Sequence, residues 1–340
     1  MRGWQSNSAA DSRRNQPSGG DDFAMLKKLA DIAAIGIGFV LSPLLRQLAR
    51  RRQALPGFQR LADRAGFQLR SDHYYEPTYS AAHLPSDTAK ERSLPGVDLN
   101  AAGQLALLAA LDYADELRAL PRLKLSATEF GFDQAMYGPG DAEIYYSLTR
   151  HFRPRRIVEI GSGQSTLMAL KAISANRTSD PDYTCDITCI EPYEMPWLEQ
   201  VGVNVVRERV ETVSLDRFAA LAANDILFID SSHVIRPYGD VLREFQEILP
   251  ALATGVLVHV HDIFTPRDYP ELWLRQQRRL WNEQYLLESF LAFNDRFEVI
   301  CAANWLKHNH WDAFSRACPV VTQANEPGAF WMRVRETKLR

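Results

Sequence analysis

The chain has 340 residues, of which 46% are hydrophobic, so it is long enough to bury one substantial core together with an accessory segment. Its 39 basic and 42 acidic residues are interspersed and give a net charge of -3, which counts against a nucleic-acid partner because phosphate neutralisation needs clustered Lys and Arg. The four cysteines lack the spacing of a zinc site, and we interpret them as reduced thiols of a cytoplasmic protein.

The N-terminal region passes from a polar tail to an apolar segment with basic flanks. Residues 1–24 are rich in Ser, Asn and Gly and should be disordered, so Met25 is a better start than Met1. Residues 25–54 predict a helix, but the apolar run from Leu29 to Leu45 is too short and too interrupted for a transmembrane span. Basic residues stand where a signal peptide would have its cleavage site.

Two interpretations of this predicted helix remain open. Basic residues at both ends suit a helix that lies on the anionic inner face of a membrane through residues 25–52. An ordinary amphipathic helix packed on the protein explains the same pattern. Residues 55–136 then predict an accessory segment of helices and loops, with one helix from Leu99 to Leu120 between Asp98 and Pro121.

The remainder, residues 137–340, is predicted to be one α/β domain. Strand and helix patterns alternate, which indicates a seven-stranded, mostly parallel sheet with helices on both faces. The predicted strands are Arg156 to Ile160, Ile187 to Ile190, Val203 to Arg207, Ile226 to Asp230, Val256 to His261, Phe297 to Ala302 and Ala329 to Val334. The predicted helices are Ser165 to Ser174, Ser214 to Leu221, Asp240 to Leu249 and Trp273 to Phe293.

The first of these strands runs into the turn GSGQST, where Gly161 and Gly163 allow a ligand to approach the backbone closely. A dinucleotide site would need a third glycine at Thr166, and a triphosphate loop would need GK[ST] after the second glycine. A nucleophile elbow would need serine within G-x-S-x-G. These residues are missing, which favours the amino-acid end of S-adenosylmethionine as the ligand.

The acid and glycines of this turn resemble the first motif of class I S-adenosylmethionine-dependent methyltransferases. The resemblance implies that Glu159 organises the turn and meets the methionine ammonium. Glu191, in CIEP at the end of the second strand, stands where a carboxylate can bind both ribose hydroxyls. The predicted cofactor-binding residues are Glu159, Gly161, Ser162, Gly163, Ser165, Thr166, Glu191 and Asp230.

A longer resemblance covers well over half of the chain, from YGPGDAEIYYSL through ILFIDSSH to GAFWMRV. These stretches resemble a family of bacterial class I methyltransferases of surface-polysaccharide and secondary-metabolite pathways, which includes sugar O-methyltransferases and proteins named after cephalosporin hydroxylase. The resemblance implies a Rossmann-like seven-stranded fold, bound S-adenosylmethionine and methyl transfer, and leaves the acceptor open. A hydroxylase activity ranks last, because a facial triad with an open oxygen site is not evident.

Methyl transfer to oxygen requires an acceptor in line with the methyl group and a base for its proton. His233 is the predicted general base, because an imidazole titrates near the working pH, and Asp262 is the second predicted catalytic residue. Asp230 ends the fourth strand and His261 and Asp262 end the fifth, so these three are the predicted metal ligands. In related metal-dependent O-methyltransferases, acids at these strand ends hold Mg; His261 is softer, which suits Mn or Fe better.

Structural alternatives exist for these residues as well. Asp230 and Asp262 can cap strand-to-helix turns, and His259 is expected to point away from His261 as a packed histidine. The segment from Trp281 to Asn294 is interpreted as a core or subunit-contact helix.

The sequence thus predicts a cytoplasmic O-methyltransferase acting on a hydroxyl of a sugar, glycan or glycosylated small molecule, at the inner membrane face if the helix binds there, and forming a homo-oligomer. The alternative is an inactive methyltransferase-fold protein that serves as a binding or scaffold partner in glycan assembly.

Overall fold

The computed structural model describes residues 19–134 and 136–336 of the chain. These residues form two compact units, one ending at Ser80 and one beginning at Ala81, and each is described by itself. The first unit contains helices α1 (Gly19–Arg50) and α2 (Pro56–Ala65), separated by a short 3-10 turn at Arg52–Ala54. Proline at the first position of α2 loses no helical hydrogen bond, so the chain restarts a helix there.

Helix α1 departs from the sequence prediction in two respects. It begins at Gly19, so residues 19–24 are helical rather than disordered, while residues 1–18 of the predicted tail lie outside the described residues. It also continues through Pro43, which deprives the Phe39 carbonyl of its helical donor; the Ser42 hydroxyl donates to that carbonyl instead, at 3.1 Å. The prediction that the apolar segment is too short to cross a membrane is therefore wrong, since Ala24–Arg50 is long and apolar enough.

The second unit contains the sheet and the remaining helices. The strands are β1 (Arg156–Ile160), β2 (Asp186–Ile190), β3 (Asn204–Val206), β4 (Ile226–Ile229), β5 (Leu257–Val260), β6 (Phe297–Ala302) and β7 (Phe330–Val334). The helices are α3 (Ala101–Ala110), α4 (Ala114–Ala119), α5 (Asp141–Phe152), α6 (Gln164–Ser179), α7 (Asp216–Ala219), α8 (Asp240–Arg243), α9 (Leu249–Ala251), α10 (Glu283–Leu291), α11 (Ala303–Asn309) and α12 (Trp311–Ala317), with π-helical turns at Glu244–Ile248 and Leu272–Gln277.

All seven predicted strands are present, with ends shifted by at most one residue, and they form one sheet in the order β3-β2-β1-β4-β5-β7-β6. The first five strands are parallel and follow the order of a doubly wound fold, which reverses between β1 and β4. Strand β7 is inserted antiparallel between β5 and β6. The predicted fold class is confirmed, and the order places the carboxyl ends of β1, β4 and β5 side by side.

The core lies on both faces of the sheet, because successive residues of each buried strand point to opposite sides. Ile157 and Phe228 belong to the hydrophobic cluster of one face, and Val158 and Ile229 to that of the other. Residues 81–136 of the predicted accessory segment lie in this second unit, and Leu108 is among those that pack in its core.

Two long predicted helices are each divided. The helix expected from Leu99 to Leu120 is α3 and α4, because Leu111 takes an extended conformation between them. The helix expected from Trp273 to Phe293 is the π-helical turn Leu272–Gln277 followed by α10, since Arg278 has a left-handed backbone with φ of 51°. After the break, the start of α10 lies at the carboxyl ends of β4 and β5, where Asn282 and Glu283 contact His233.

Candidate functional site

The glycine turn between β1 and α6 packs directly against the end of β4. Gly161 has φ of +76°, and a Cβ atom built on it would lie 1.8 Å from the Asp230 carbonyl oxygen. The Gly161 amide donates to the Ile190 carbonyl at 3.0 Å, which ties the turn to β2 as well. A Cβ atom on Gly163 would meet only the flexible side chain of Met195, at 3.6 Å or more. Gly161 is therefore required by the protein itself, whereas Gly163 leaves open space.

Glu159 stabilises the glycine turn through buried hydrogen bonds. Its side chain is fully buried, accepts a hydrogen bond from the Tyr145 hydroxyl at 3.1 Å, and accepts another from the Thr166 hydroxyl. The Gly163 amide in turn donates to Thr166 Oγ1 at 3.2 Å. Burial raises the pKa of Glu159 to about 7, although these hydrogen bonds oppose that shift. Glu159 thus organises the turn as expected, and its contact with a methionine ammonium stays a prediction.

Glu191 and the turn border a cleft of about 470 Å³ at the carboxyl ends of β1, β2 and β4. One Glu191 oxygen accepts hydrogen bonds from the amides of Tyr193 and Glu194, at 3.0 and 2.9 Å, and the other lies 3.4 Å from the Ser162 amide. These contacts fix the carboxylate beside the glycine turn. The cleft is lined by Ile160, Gly161, Glu191, Tyr193, Arg209, Glu211, Asp230, Ser231 and Arg236, among other residues.

The cleft residues fit S-adenosylmethionine. Gly163 leaves room for close approach, and the amide end of α6, a helix of 16 residues, opens immediately after it. The Gln164 side-chain oxygen is buried without a hydrogen-bond partner among the described residues, so a ligand donor there would satisfy it. Ser165 and Thr166 are both buried in the first turn of α6, where they support the turn from within.

A cluster of two carboxylates and one imidazole lies at the ends of β4 and β5. Asp230, His233 and Asp262 each place one ligand atom within 4.8 Å of the others. The Nε2 atom of His233 is 3.3 Å from Asp230 Oδ1 and 3.6 Å from Asp262 Oδ2. The side chain of His233 is only 7% exposed, against 34% for Asp230, so the cluster opens on the Asp230 side. Asp230 also lines the cleft beside the glycine turn, so the cleft and the cluster adjoin.

The His233 ring is held from the side opposite to the carboxylates. Glu283, 1% exposed at the start of α10, contacts Nδ1 through Oε2 at 2.9 Å. Trp281 packs against the ring with a centroid separation of 4.3 Å, and the amide of Asn282 donates to the His233 carbonyl at 3.0 Å. His233 and Asp262 have left-handed backbones, with φ of 59° and 56°. Such conformations persist only where surrounding contacts enforce them.

The segment from Trp281 to Asn294 was expected to be a core or subunit-contact helix, and Leu287 and Leu291 of α10 do pack in the core. The contact of Glu283 with His233 was not predicted. The only sequence signal for this contact is an acid within an apolar helical pattern, because a carboxylate that becomes buried there needs a polar partner. The partner here is His233.

The pKa of His233 differs from the value near the working pH that the sequence analysis expected. Burial opposes a charge on the ring, but the hydrogen bonds to Asp230 and Glu283 outweigh it and raise the pKa of His233 well above its ordinary value. Burial would raise the pKa of Asp230, yet the nearby His261 and His233 rings lower it. The expectation of an imidazole that titrates near the working pH therefore does not hold for this arrangement of side chains alone.

His261 lies outside the three-residue cluster, contrary to its assignment as a metal ligand. Its Nε2 atom is 3.7 Å from Asp262 Oδ1, and its Nδ1 atom is 3.3 Å from His259 Nε2. The expectation that His259 points away from His261 is wrong, because residues two apart in a strand face the same side. His259 is a fully buried, packed histidine, as expected. His233 takes the place in the cluster that was assigned to His261.

The turn-cap alternative for the two aspartates is not favoured. In the described part of the chain, no backbone amide donates a hydrogen bond to the carboxylate of Asp230 or Asp262. Gly328 approaches Asp262 through the backbone instead: a Cβ atom at Gly328 would lie 2.8 Å from Asp262 Cα, and the Ile263 amide donates to the Gly328 carbonyl at 2.9 Å. These contacts fix the backbone of Asp262, while its carboxylate faces the His233 and His261 rings.

Comparison with known proteins supports the assignment of the fold. Residues 158–263 match a family model described as a methyltransferase domain. An uncharacterized protein of Archaeoglobus fulgidus is 28% identical over 168 residues, which cover 45% of this chain and 74% of that protein.

Two solved structures show a more distant likeness. The O-methyltransferase TomG from Streptomyces achromogenes, involved in tomaymycin synthesis and solved with S-adenosylmethionine, is 17% identical, with a TM-score of 0.35 over 67% of this chain and 89% of its own. The MycE methyltransferase of the mycinamycin pathway, solved with Mg, S-adenosylhomocysteine and mycinamycin VI, is 18% identical, with a TM-score of 0.37 over 70% of this chain and 63% of its own. At these TM-scores, neither structure transfers a substrate or a metal to this chain.

The matched segment runs from β1 to the residue after Asp262, so it contains the glycine turn, Glu191 and the carboxylate and imidazole cluster. The match and the sheet order identify this part of the chain as a methyltransferase domain with the class I fold. The predicted resemblance to class I methyltransferases is confirmed.

Proposed function

We propose that the protein transfers the methyl group of S-adenosylmethionine to a hydroxyl of a sugar, glycan or glycosylated small molecule. One observation carries this proposal: Asp230 borders both the cofactor cleft and the cluster formed with His233 and Asp262. A methyl donor in the cleft therefore lies beside groups that can orient an acceptor oxygen and remove its proton. The sugar acceptor rests on the sequence resemblance. Exposed Tyr193 and Arg236 at the cleft supply a ring face and a guanidinium that suit a polar acceptor.

The protein's part in the reaction is to orient and to accept a proton. Glu283 holds Nδ1 of His233, which leaves Nε2 directed at the open side of the cluster. In its neutral form, Nε2 takes the proton of the acceptor hydroxyl as the oxygen attacks the methyl carbon. Asp262 fixes the acceptor in line with the methyl group, since an effective transfer depends on that alignment.

We also propose that the cluster binds a divalent cation. The carboxylates of Asp230 and Asp262 would hold Mg, Mn or Fe with the acceptor oxygen as a further ligand, so that Nε2 of His233 stays available as the base. A bound cation would acidify the acceptor hydroxyl. Because a cation and a protonated His233 compete for the same two carboxylates, metal binding favours the neutral base form of the ring.

Replacing Glu191 by Ala should weaken S-adenosylmethionine binding by about 1–3 kcal/mol, because charge-assisted hydrogen bonds to the ribose hydroxyls are lost. Isothermal titration measures the difference. Asp186→Ala is the matched control, since Asp186 is an exposed acid at the opposite end of the same strand. Equal affinities of the Glu191 variant and the parent would place the ribose elsewhere.

Removal of divalent cations should lower methyl transfer by about tenfold or more, and added Mg or Mn should restore it, because the metal orients and acidifies the acceptor. S-adenosylmethionine affinity should stay unchanged after chelation. Full activity after extensive chelation would remove the metal from the proposal, and with it the competition that is proposed to keep the His233 ring neutral.

We further propose that the methyltransferase works in the cytoplasm. Its four cysteines are buried and unpaired, as suits a reducing compartment. Homo-oligomer formation stays a prediction.

A further inference from the structure

Helix α1 carries a segment that is apolar on every side. Between Asp31 and Arg46 it reads IAAIGIGFVLSPLL, without a charged residue. Its one hydroxyl, that of Ser42, is satisfied within the helix by the Phe39 carbonyl. A helix that is apolar all round is a membrane span or the core helix of a large protein, whereas a helix lying on a membrane surface needs a polar face.

The apolar side chains of this segment are exposed. Phe39 is 83% exposed, Val40 74% and Ile32 64%, and no residue of the most apolar stretch is buried. The backbone hydrogen bonds of the segment are satisfied even at the proline, because the Phe39 carbonyl that Pro43 leaves without a helical donor accepts a hydrogen bond from the Ser42 hydroxyl. A helix in hydrocarbon needs backbone polar groups that are hydrogen-bonded within the helix, and it needs apolar side chains.

The length of the helix matches a bilayer. Ala24–Arg50 has 27 residues, about 40 Å at about 1.5 Å per residue, which equals the thickness of a bilayer with its head groups. The 17 residues between Lys28 and Arg46 span about 26 Å, and the long stems of Lys and Arg let the charged ends reach the head groups. Asp31 lies one helical turn after Lys27, a spacing that brings acid and base together on one face.

The charges at the two ends indicate an anionic bilayer and an orientation. Lys27 and Lys28 precede the apolar segment, and Arg46, Arg50, Arg51 and Arg52 follow it. Basic groups at both ends are complementary to anionic head groups. The larger excess on the C-terminal side predicts that this side faces the cytoplasm.

We propose that helix α1 spans an anionic lipid bilayer and anchors the protein to it, with residues from Arg46 onward on the cytoplasmic side. The anchor goes beyond the proposed methyl transfer and does not depend on it. The positive charges that flank both ends favour a membrane over a protein groove, since a protein partner would need an apolar cleft with acidic rims at both ends.

Flotation of the full chain with vesicles of phosphatidylethanolamine and phosphatidylglycerol tests the anchor. The full chain should float with the vesicles and stay with them after an alkaline carbonate wash, because only an inserted helix resists that wash. The double variant Ile35→Asp with Val40→Asp should float at least about tenfold less, since each aspartate at the centre of a span is costly. Leu61→Asp is the matched control, an exposed leucine of α2 that should leave flotation unchanged.

The outcomes separate the anchor from the methyltransferase activity. Titration of S-adenosylmethionine into the double variant should match the parent, which shows that the second unit is folded. Equal flotation of the parent and the double variant overturns the proposal, and so does release of the parent by carbonate, which indicates a peripheral helix. A fluorescent protein fused after Arg340 should fluoresce in cells; loss of fluorescence in a membrane-bound fusion contradicts the orientation.

Discussion

Replacing His233 by Ala is expected to lower turnover by about 100-fold or more while S-adenosylmethionine affinity stays nearly unchanged. The reason lies in the geometry of the ring. Its Nε2 atom faces Asp230 and Asp262 at 3.3 and 3.6 Å, whereas the glycine turn and Glu191 form the cofactor cleft without it. We therefore expect the side chain to act on the acceptor proton rather than on the sulfonium compound. Steady-state kinetics and titration of the cofactor separate the two effects.

Asp262→Ala should show the same division, with a similar loss of turnover and little change in cofactor affinity, because its carboxylate also faces the acceptor side. His151→Ala is the matched control, since His151 is an exposed histidine of α5. If the His233 variant retained the turnover of the parent, the proton would be removed by another group, and the role proposed for Glu283 would fail with it.

Replacing Gly161 by Val should abolish S-adenosylmethionine binding. From the sequence, Gly161 was expected to leave room for the ligand. The structure gives a different reason for the glycine. The clash is with the protein: a Cβ atom at Gly161 falls 1.8 Å from the Asp230 carbonyl oxygen, and φ of +76° is strained for a β-branched residue. The turn must move away from β4, and the cleft with it. Cofactor titration and the melting temperature report the two consequences.

Gly202→Val is the control for backbone strain alone. Gly202 has φ of +77° with no atom within 4 Å of an added Cβ. This variant therefore has the backbone strain without the steric clash and should bind the cofactor. Gly163→Ala is the second comparison, because the protein accommodates the added Cβ atom. Any loss of binding in this variant would come from a clash with the ligand. Cofactor binding by the Gly161 variant at the parent's affinity would show that the ligand lies away from this turn.

The strands could be predicted because each is a short, nearly continuous apolar run, as in β4 and β5, buried on both faces. The location of the residues that follow these strands could be predicted as well, since the carboxyl ends of parallel strands lie at one edge of the sheet. This reasoning placed Glu191, Asp230 and Asp262 at that edge, where the structure has them.

Other features depend on contacts between distant segments, which periodicity does not report. The break at Arg278 that positions Glu283 lies within a pattern with helical spacing, and nothing local marks it. The choice between His233 and His261 as third member of the cluster follows from a left-handed turn at His233, which contacts from Asn282 and Glu283 enforce. The continuity of α1 through Pro43 depends on the hydroxyl of Ser42.

Isothermal titration of the purified protein with S-adenosylmethionine and, separately, with NAD tests the central claim most directly. That claim is that the glycine turn, the carboxylate of Glu191 and the open space at Gly163 together bind the methionine and ribose parts of S-adenosylmethionine. The account predicts saturable binding of S-adenosylmethionine and no heat from NAD, with Glu191→Ala weakening the former. Tight NAD binding without a response to S-adenosylmethionine would contradict it.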